Sequence, residues 1–164
     1  MSRHAEFEGH CLDLFSPLGP VLPRRMFGGV GFYLGGAFFA IGDPDEWRLW
    51  LKVDGATRAA FEAAGGEPFV YLGRGKREVS LSYYAPPPEA LDDAEGMLPW
   101  ARLALEAARR ARAARLTRAR ERARRAGRGS GRTTRPTGRR ATSRARRRRR
   151  RWGPAGPGSG SRRR

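Results

Sequence analysis

The spacing of apolar positions changes period several times along the first 108 residues, and each change marks an element. Phe7, Cys11, Leu14, Phe15 and Leu18 recur three or four residues apart, which predicts an amphipathic helix over residues 4–16. Pro17 and the Gly19-Pro20 pair end it, because proline restricts the residue before it and cannot continue a helix. Residues 25–34 then alternate, with Met26, Val30, Phe32 and Leu34 on one side and Arg25, Phe27 and Tyr33 on the other. Gly35-Gly36 reads as a hairpin turn, since both positions tolerate positive φ. A second strand follows at 37–41 and a turn at 42–46.

Residues 47–53 carry the clearest alternation: Trp47, Leu49, Leu51 and Val53 against Arg48, Trp50 and Lys52. Asp54 suits the N-cap of a helix over 55–64, with Ala56, Ala60, Phe61 and Ala64 as its buried stripe and Gly65-Gly66 as its end. Two strands, 68–72 and 78–84, pair across a Gly-Arg-Gly-Lys turn. Asp92 or Asp93 caps a last helix over 94–108, with apolar positions Met97, Ala101, Ala104, Leu105 and Ala108 and a kink or restart at Pro99. The order helix, three strands, helix, two strands, helix predicts a two-layer α+β domain. Its antiparallel sheet has about five strands and carries all helices on one face. The other face is left with Phe27, Tyr33 and Trp50 among Arg25, Arg48 and Lys52, a composition suited to a protein partner or a second copy of the chain.

Charge divides the chain in two. Residues 1–100 hold 9 basic and 14 acidic side chains, whereas residues 101–164 hold 25 basic and 2 acidic ones. Past Ala108 the last helix loses its apolar face and is expected to project into solvent toward Arg125, with Gly127 as its stop. This divides the chain into a domain over 1–110, a basic helical extension over 111–126 and a tail over 127–164. The tail lacks the apolar residues needed to offset chain entropy, so it is expected to be disordered when free. Arg146, Arg147, Arg148, Arg149, Arg150 and Arg151 form an unbroken run closed by Trp152, which suits nonspecific binding to nucleic acid through phosphate neutralisation and stacking. The same Gly, Ala, Pro and Arg composition also follows from G/C-rich coding.

Catalytic and cofactor motifs fail on inspection. Gly29-Val-Gly31-Phe-Tyr-Leu34 lacks the third glycine and the following helix of a dinucleotide loop, and Gly75-Lys76-Arg77 lacks the hydroxyl of a phosphate-binding loop. Gly28, Gly29 and Gly31 are instead read as structural, placed where a strand bends or another backbone comes close. His4, His10, Cys11 and Asp13 make a poor metal or nucleophile set, because Cys11 falls on the apolar stripe of the first helix. Asp92, Asp93 and Glu95 are explained by a helix start. No catalytic residue, metal or cofactor is expected. One cysteine excludes an intrachain disulfide, no run reaches the roughly 18 apolar residues of a membrane span, and the N-terminus lacks a signal-peptide core. The expectation is a cytoplasmic, non-enzymatic protein with no membrane contact.

Four segments carry a resemblance. RRMFGGVGFYLGG at 24–36, LWLKVDGATRAAF at 49–61, SLSYYAPPPEALDD at 80–93 and LPWARLALEAA at 98–108 resemble the N-terminal domain of TfoX/Sxy proteins, over about residues 5–110. The resemblance implies a helix–sheet two-layer fold and a non-enzymatic regulator of competence genes that acts with a cyclic-AMP-responsive activator. Full-length members carry a second, helical C-terminal domain, and here an Arg-rich tail stands in its place. An alternative function is an RNA-binding accessory protein whose aromatic–basic sheet face stacks single-stranded bases.

Overall fold

A computed structural model of the chain describes residues 2–72 and 78–129. The Gly-Arg-Gly-Lys turn and the arginine run with Trp152 therefore lie outside the described residues. The elements are α1 (Arg3–Phe15), β1 (Leu22–Met26), β2 (Gly29–Leu34), β3 (Ala37–Asp43), β4 (Arg48–Lys52), α2 (Arg58–Ala63), β5 (Pro68–Leu72), β6 (Glu78–Tyr84) and α3 (Ala94–Gly129). Among the described residues they form an α+β fold with one antiparallel sheet of six strands in the order β1-β2-β3-β4-β6-β5.

The extra strand arises because the stretch 25–34 is a hairpin rather than one strand. Phe27 and Gly28 form its two-residue turn at φ 45° and 81°, and Met26 pairs with Gly29. Paired positive φ values give the backbone twist that a tight hairpin needs. β1 begins beyond Pro20 and contains Pro23, so it reads poorly as a strand. Its place at the sheet edge is where proline is tolerated. Gly29 allows close backbone contact, since a Cβ there would stand 2.7 Å from the Gly42 carbonyl oxygen.

One sheet face carries the core. Val30, Phe32, Phe39, Leu49, Leu51 and Val53 are buried there beneath Phe7, Cys11, Leu14 and Phe15 of α1 and Met97, Ala101, Ala104 and Ala108 of α3. Phe15 packs edge-on against both Phe32 and Phe39, at 5.3 and 4.9 Å between ring centres. Gly42 leaves room for the Phe7 ring to lie against β3. A bulge in β3, with Phe32 opposite Ala40 and Tyr33 opposite Phe38, turns both Phe39 and Ala40 inward. Burial pushes the Cys11 thiol up to about 12, with the Glu8 charge adding to the effect.

Three helix expectations change. α2 is shorter than the apolar stripe suggests: only Phe61 is fully buried, and residues 55–57 form a turn in which the Asp54 carboxylate accepts from the Ala56 amide at 3.0 Å. The end at Gly65-Gly66 holds, with their amides donating to the Glu62 and Phe61 carbonyls. Asp93 caps α3 by accepting from the Gly96 amide at 2.7 Å, and the helix runs through Pro99 without a restart. At that early position proline removes one intrahelical bond, to Glu95. Gly127 does not stop the helix, which continues to Gly129.

Past the core, α3 is fastened at Arg110. Its Nε and Nη2 donate to Oδ2 and Oδ1 of Asp54 at 2.6 and 3.2 Å, a two-pronged pair between helix and β4–α2 loop. The Arg110 bond is the main reason the Asp54 carboxyl lies below its ordinary 3.8, with burial opposing and the Ala56 amide assisting. A lowered folded-state value means that this contribution is present above pH 3.8 and fades as pH falls through the lowered value. Asp54→Asn is therefore expected to melt below the parent at neutral pH, with the gap closing in acid. Melting curves from pH 7 down to about 2 test this, and a gap that stays constant on acidification contradicts it.

Candidate functional site

The sheet face opposite the core is built by strand register. Leu22, Arg24 and Met26 of β1 stand beside Tyr33, Gly31 and Gly29 of β2, in that order. Gly31 is what lets large groups cross β2: a Cβ there would stand 2.6 Å from the Met26 methyl and 2.7 Å from the Phe38 ring. Ile41 and Trp50 are register partners, as are Lys52 and Tyr83. Rings and cations then interleave. Tyr33 stacks on Phe38 at 4.7 Å, Phe38 meets Tyr83 at 5.8 Å, and Trp50 meets Phe69 edge-on at 4.6 Å. Arg24 lies over Tyr33, Arg48 over Trp50 and Lys52 over Tyr83, each at about 5 Å.

The six residues expected on an open face are therefore divided. Tyr33, Arg48, Trp50 and Lys52 belong to it. Arg25 does not: it is opposite Val30 in register and reaches Glu8 of α1 at 3.9 Å, because the hairpin turn shifts the alternation and gives its place to Arg24. Phe27 lies in the turn and is fully exposed. Trp50 is only 5% exposed, under Phe69 and Arg48, so it is a packed residue rather than a presented one. Sequence alternation placed Trp50 correctly away from the helices but gave no sign that β5 supplies Phe69 as its cover.

At one end of this face Met26, Phe27, Ile41, Trp50 and Phe69 line a groove of about 690 Å³, floored by Gly28 and Gly29 and rimmed by Asp43 and Asp45. Asp43 shapes that rim by accepting from the Asp45 and Glu46 amides at 2.9 and 3.2 Å, which turns the chain and leaves Trp47 at φ 57° rather than in the strand. Trp47 packs edge-on to Phe7 and stacks with His10, while His4 meets Asp45 at 3.2 Å. His10 and Cys11 thus have packing roles, while His4 meets Asp45 at the surface.

At the other end lies a pocket of about 130 Å³ lined by Tyr33, Phe38, Lys52, Tyr83, Arg112 and Arg115, with Gly36 and two alanines of α3. α3 passes so close to the β2–β3 turn that a Cβ on Gly36 would stand 3.1 Å from the Arg112 guanidinium. Lys52 is held below its ordinary lysine value, first by burial and next by Arg115, with Asp54 opposing. Tyr83 is raised above its ordinary value, chiefly by burial and then by Tyr33, with Arg115 opposing. Arg112 and Arg115 escape sequence reasoning because helical periodicity shows no apolar stripe past Ala108. The Gly35-Gly36 turn was the available sign, since a paired glycine also admits a close neighbour.

From Arg109 to Arg128 the helix carries ten arginines and one glutamate, and its side chains are exposed apart from the partly buried Ala111. No helix among the described residues is long and apolar enough to cross a membrane.

A six-stranded antiparallel sheet, one face under two helices and the other bearing paired rings and cations, defines a small α+β module. Residues 13–108 match the TfoX N-terminal domain, and the chain belongs to that family. The matched segment ends where the buried positions of α3 end, so the basic helix lies beyond it. Comparison with curated proteins gave no match.

The burial of Trp50 and the exposure of Phe27 predict opposite outcomes for two truncations on one face. Trp50→Ala is expected to cost about 3–5 kcal/mol in urea unfolding, as for other buried large aromatics. Phe27→Ala is expected to stay within about 0.5 kcal/mol of the parent. A near-neutral Trp50→Ala would place that ring outside the packed structure.

Proposed function

We propose that this chain is a cytoplasmic, non-enzymatic regulatory module that anchors itself on nucleic acid through its arginine-rich end. In this reading its TfoX-type domain engages a protein partner. The observation that carries the reading is the basic half of α3, ten arginines against one glutamate on a helix extending about 30 Å at 1.5 Å per residue. Arginines on all sides of a helix meet the phosphate backbone without reading bases, so binding is sequence-blind and driven by counterion release. The run Arg146–Arg151 adds charge of the same kind. Resemblance to TfoX/Sxy proteins supports transcriptional control, including control of competence genes, as the setting in which the domain acts.

Stacking of single-stranded bases on the sheet is the less favoured reading. It needs open ring faces, and Tyr33 lies between Phe38 and Arg24 while Trp50 is covered by Phe69 and Arg48. Phe27 and the groove behind it suit a protein partner, because an exposed phenylalanine beside an apolar hollow is unusual on a surface with no partner.

Binding of the full chain to DNA duplexes of scrambled sequence tests the anchoring. If about 6–10 phosphates are neutralised, affinity falls roughly 10³–10⁵-fold between 50 and 200 mM salt and is the same for every sequence. Sequence-selective binding that barely weakens with salt overturns it. For the partner, pull-down after nuclease treatment is expected to retain proteins that Phe27→Asp releases. Retention of the same set by both chains removes the groove from the proposal.

A further inference from the structure

The pocket between the β2–β3 turn, the ends of β4 and β6 and helix α3 gathers three cations: Lys52, Arg112 and Arg115. Among the described residues, none of the three has a carboxylate within 4.0 Å, unlike Arg110 on the adjacent turn. Asp54 is the acid that acts on Lys52, but its two oxygens are taken by Arg110 and the Ala56 amide. Nor do the Tyr33 and Tyr83 hydroxyls have a hydrogen-bond partner among the described residues. Like charges are thus brought together, with Lys52 partly withdrawn from water over the Tyr83 ring at 4.8 Å. Of the three only Lys52 is partly buried, and its neighbour is a ring rather than a carboxylate, so an anion bound here would supply the pairing that partly buried charge usually has.

We propose that this pocket is a binding site for a phosphate group, free or as a small phosphomonoester. Its volume of about 130 Å³ leaves room for a tetrahedral oxyanion of five heavy atoms. Three cations exceed a single carboxylate by two charges and a phosphate dianion by only one. The guanidinium forks of Arg112 and Arg115, one helical turn apart, suit adjacent phosphate oxygens, Lys52 supplies a compact charge, and the two phenols donate to what remains. The group bound here ties α3 to the sheet at a point where the protein supplies no ion pair of its own. Arg112 and Arg115 also belong to the exposed basic run of α3, but this site needs Lys52 and the two phenols as well, so Lys52→Met losing phosphate while keeping DNA separates this proposal from the nucleic-acid reading.

The test uses the full chain at constant ionic strength, with inorganic phosphate replacing chloride. Phosphate is expected to raise the melting temperature saturably and to shift the titration midpoint of the Lys52 side chain, followed by ¹³C NMR, toward its ordinary value. Arg115→Gln and Lys52→Met each remove one charge-assisted contact and are expected to weaken phosphate binding by roughly tenfold or more. Arg120→Gln, the same charge change on an exposed part of the same helix, is expected to leave it unchanged. Because Arg115 lies outside the core, its variant keeps the test valid if Lys52→Met fails to fold. Equal weakening by Arg115→Gln and Arg120→Gln, or phosphate acting no differently from chloride, overturns the proposal. Phenyl phosphate and dimethyl phosphate complete the test: preference for the first supports a monoester, and equal binding of the second, a diester like the nucleic-acid backbone, overturns the proposal.

Discussion

Close approach of α3 to the sheet is the constraint on which the rest of the molecule depends. Ala101, Ala104 and Ala108 are almost completely buried along one side of the helix, with Met97 and Leu105 filling the gaps around them. Methyl-sized side chains bring a helix axis nearer to a sheet than leucines do, and the interior is close-packed only at that separation. Larger residues in these positions would lift α3 from β3 and β4 and expose Phe39 and Leu51. They would also part Arg112 from Gly36 and Arg110 from Asp54, so core packing and the geometry of the far face share one cause.

Much of the fold is legible because it follows from local chemistry. The α1 stripe, the Gly35-Gly36 turn, the Trp47–Val53 alternation and the Asp93 cap each rest on a few neighbouring residues, and each appears in the structure with boundaries moved by a few positions at most. The misreading at Phe27-Gly28 has the same local character. Gly28, Gly29 and Gly31 suit a bend or a close backbone as well as a turn, and a phenylalanine in the left-handed region is rare enough that pattern alone argues against a hairpin there. One residue of shift then reversed the faces of Arg24 and Arg25.

The candidate site was less legible, because its members meet through pairings distant in sequence. Trp50 and Phe69 are joined by the β4–β6–β5 order, which places a later hairpin beside an earlier strand. Lys52 and Tyr83 meet for the same reason, and Arg115 arrives from a helix whose apolar period has already ended. Alternation within a strand tells which side a residue takes. It does not tell which neighbour covers it, and that difference separates an exposed aromatic such as Phe27 from a packed one such as Trp50.

One continuous helix links the packed core to the arginine-rich end, and this has a mechanical consequence. Beyond the Asp54–Arg110 clamp α3 extends about 30 Å, and its fulcrum is that ion pair together with the packing of Arg112 against Gly36. A tilt of about 5° at the fulcrum sweeps the free end through about 2.5 Å, at 1.5 Å of helix per residue. Any force on the far end of the helix would thereby be delivered to the β4–α2 loop and to the sheet end that carries Lys52 and Tyr83.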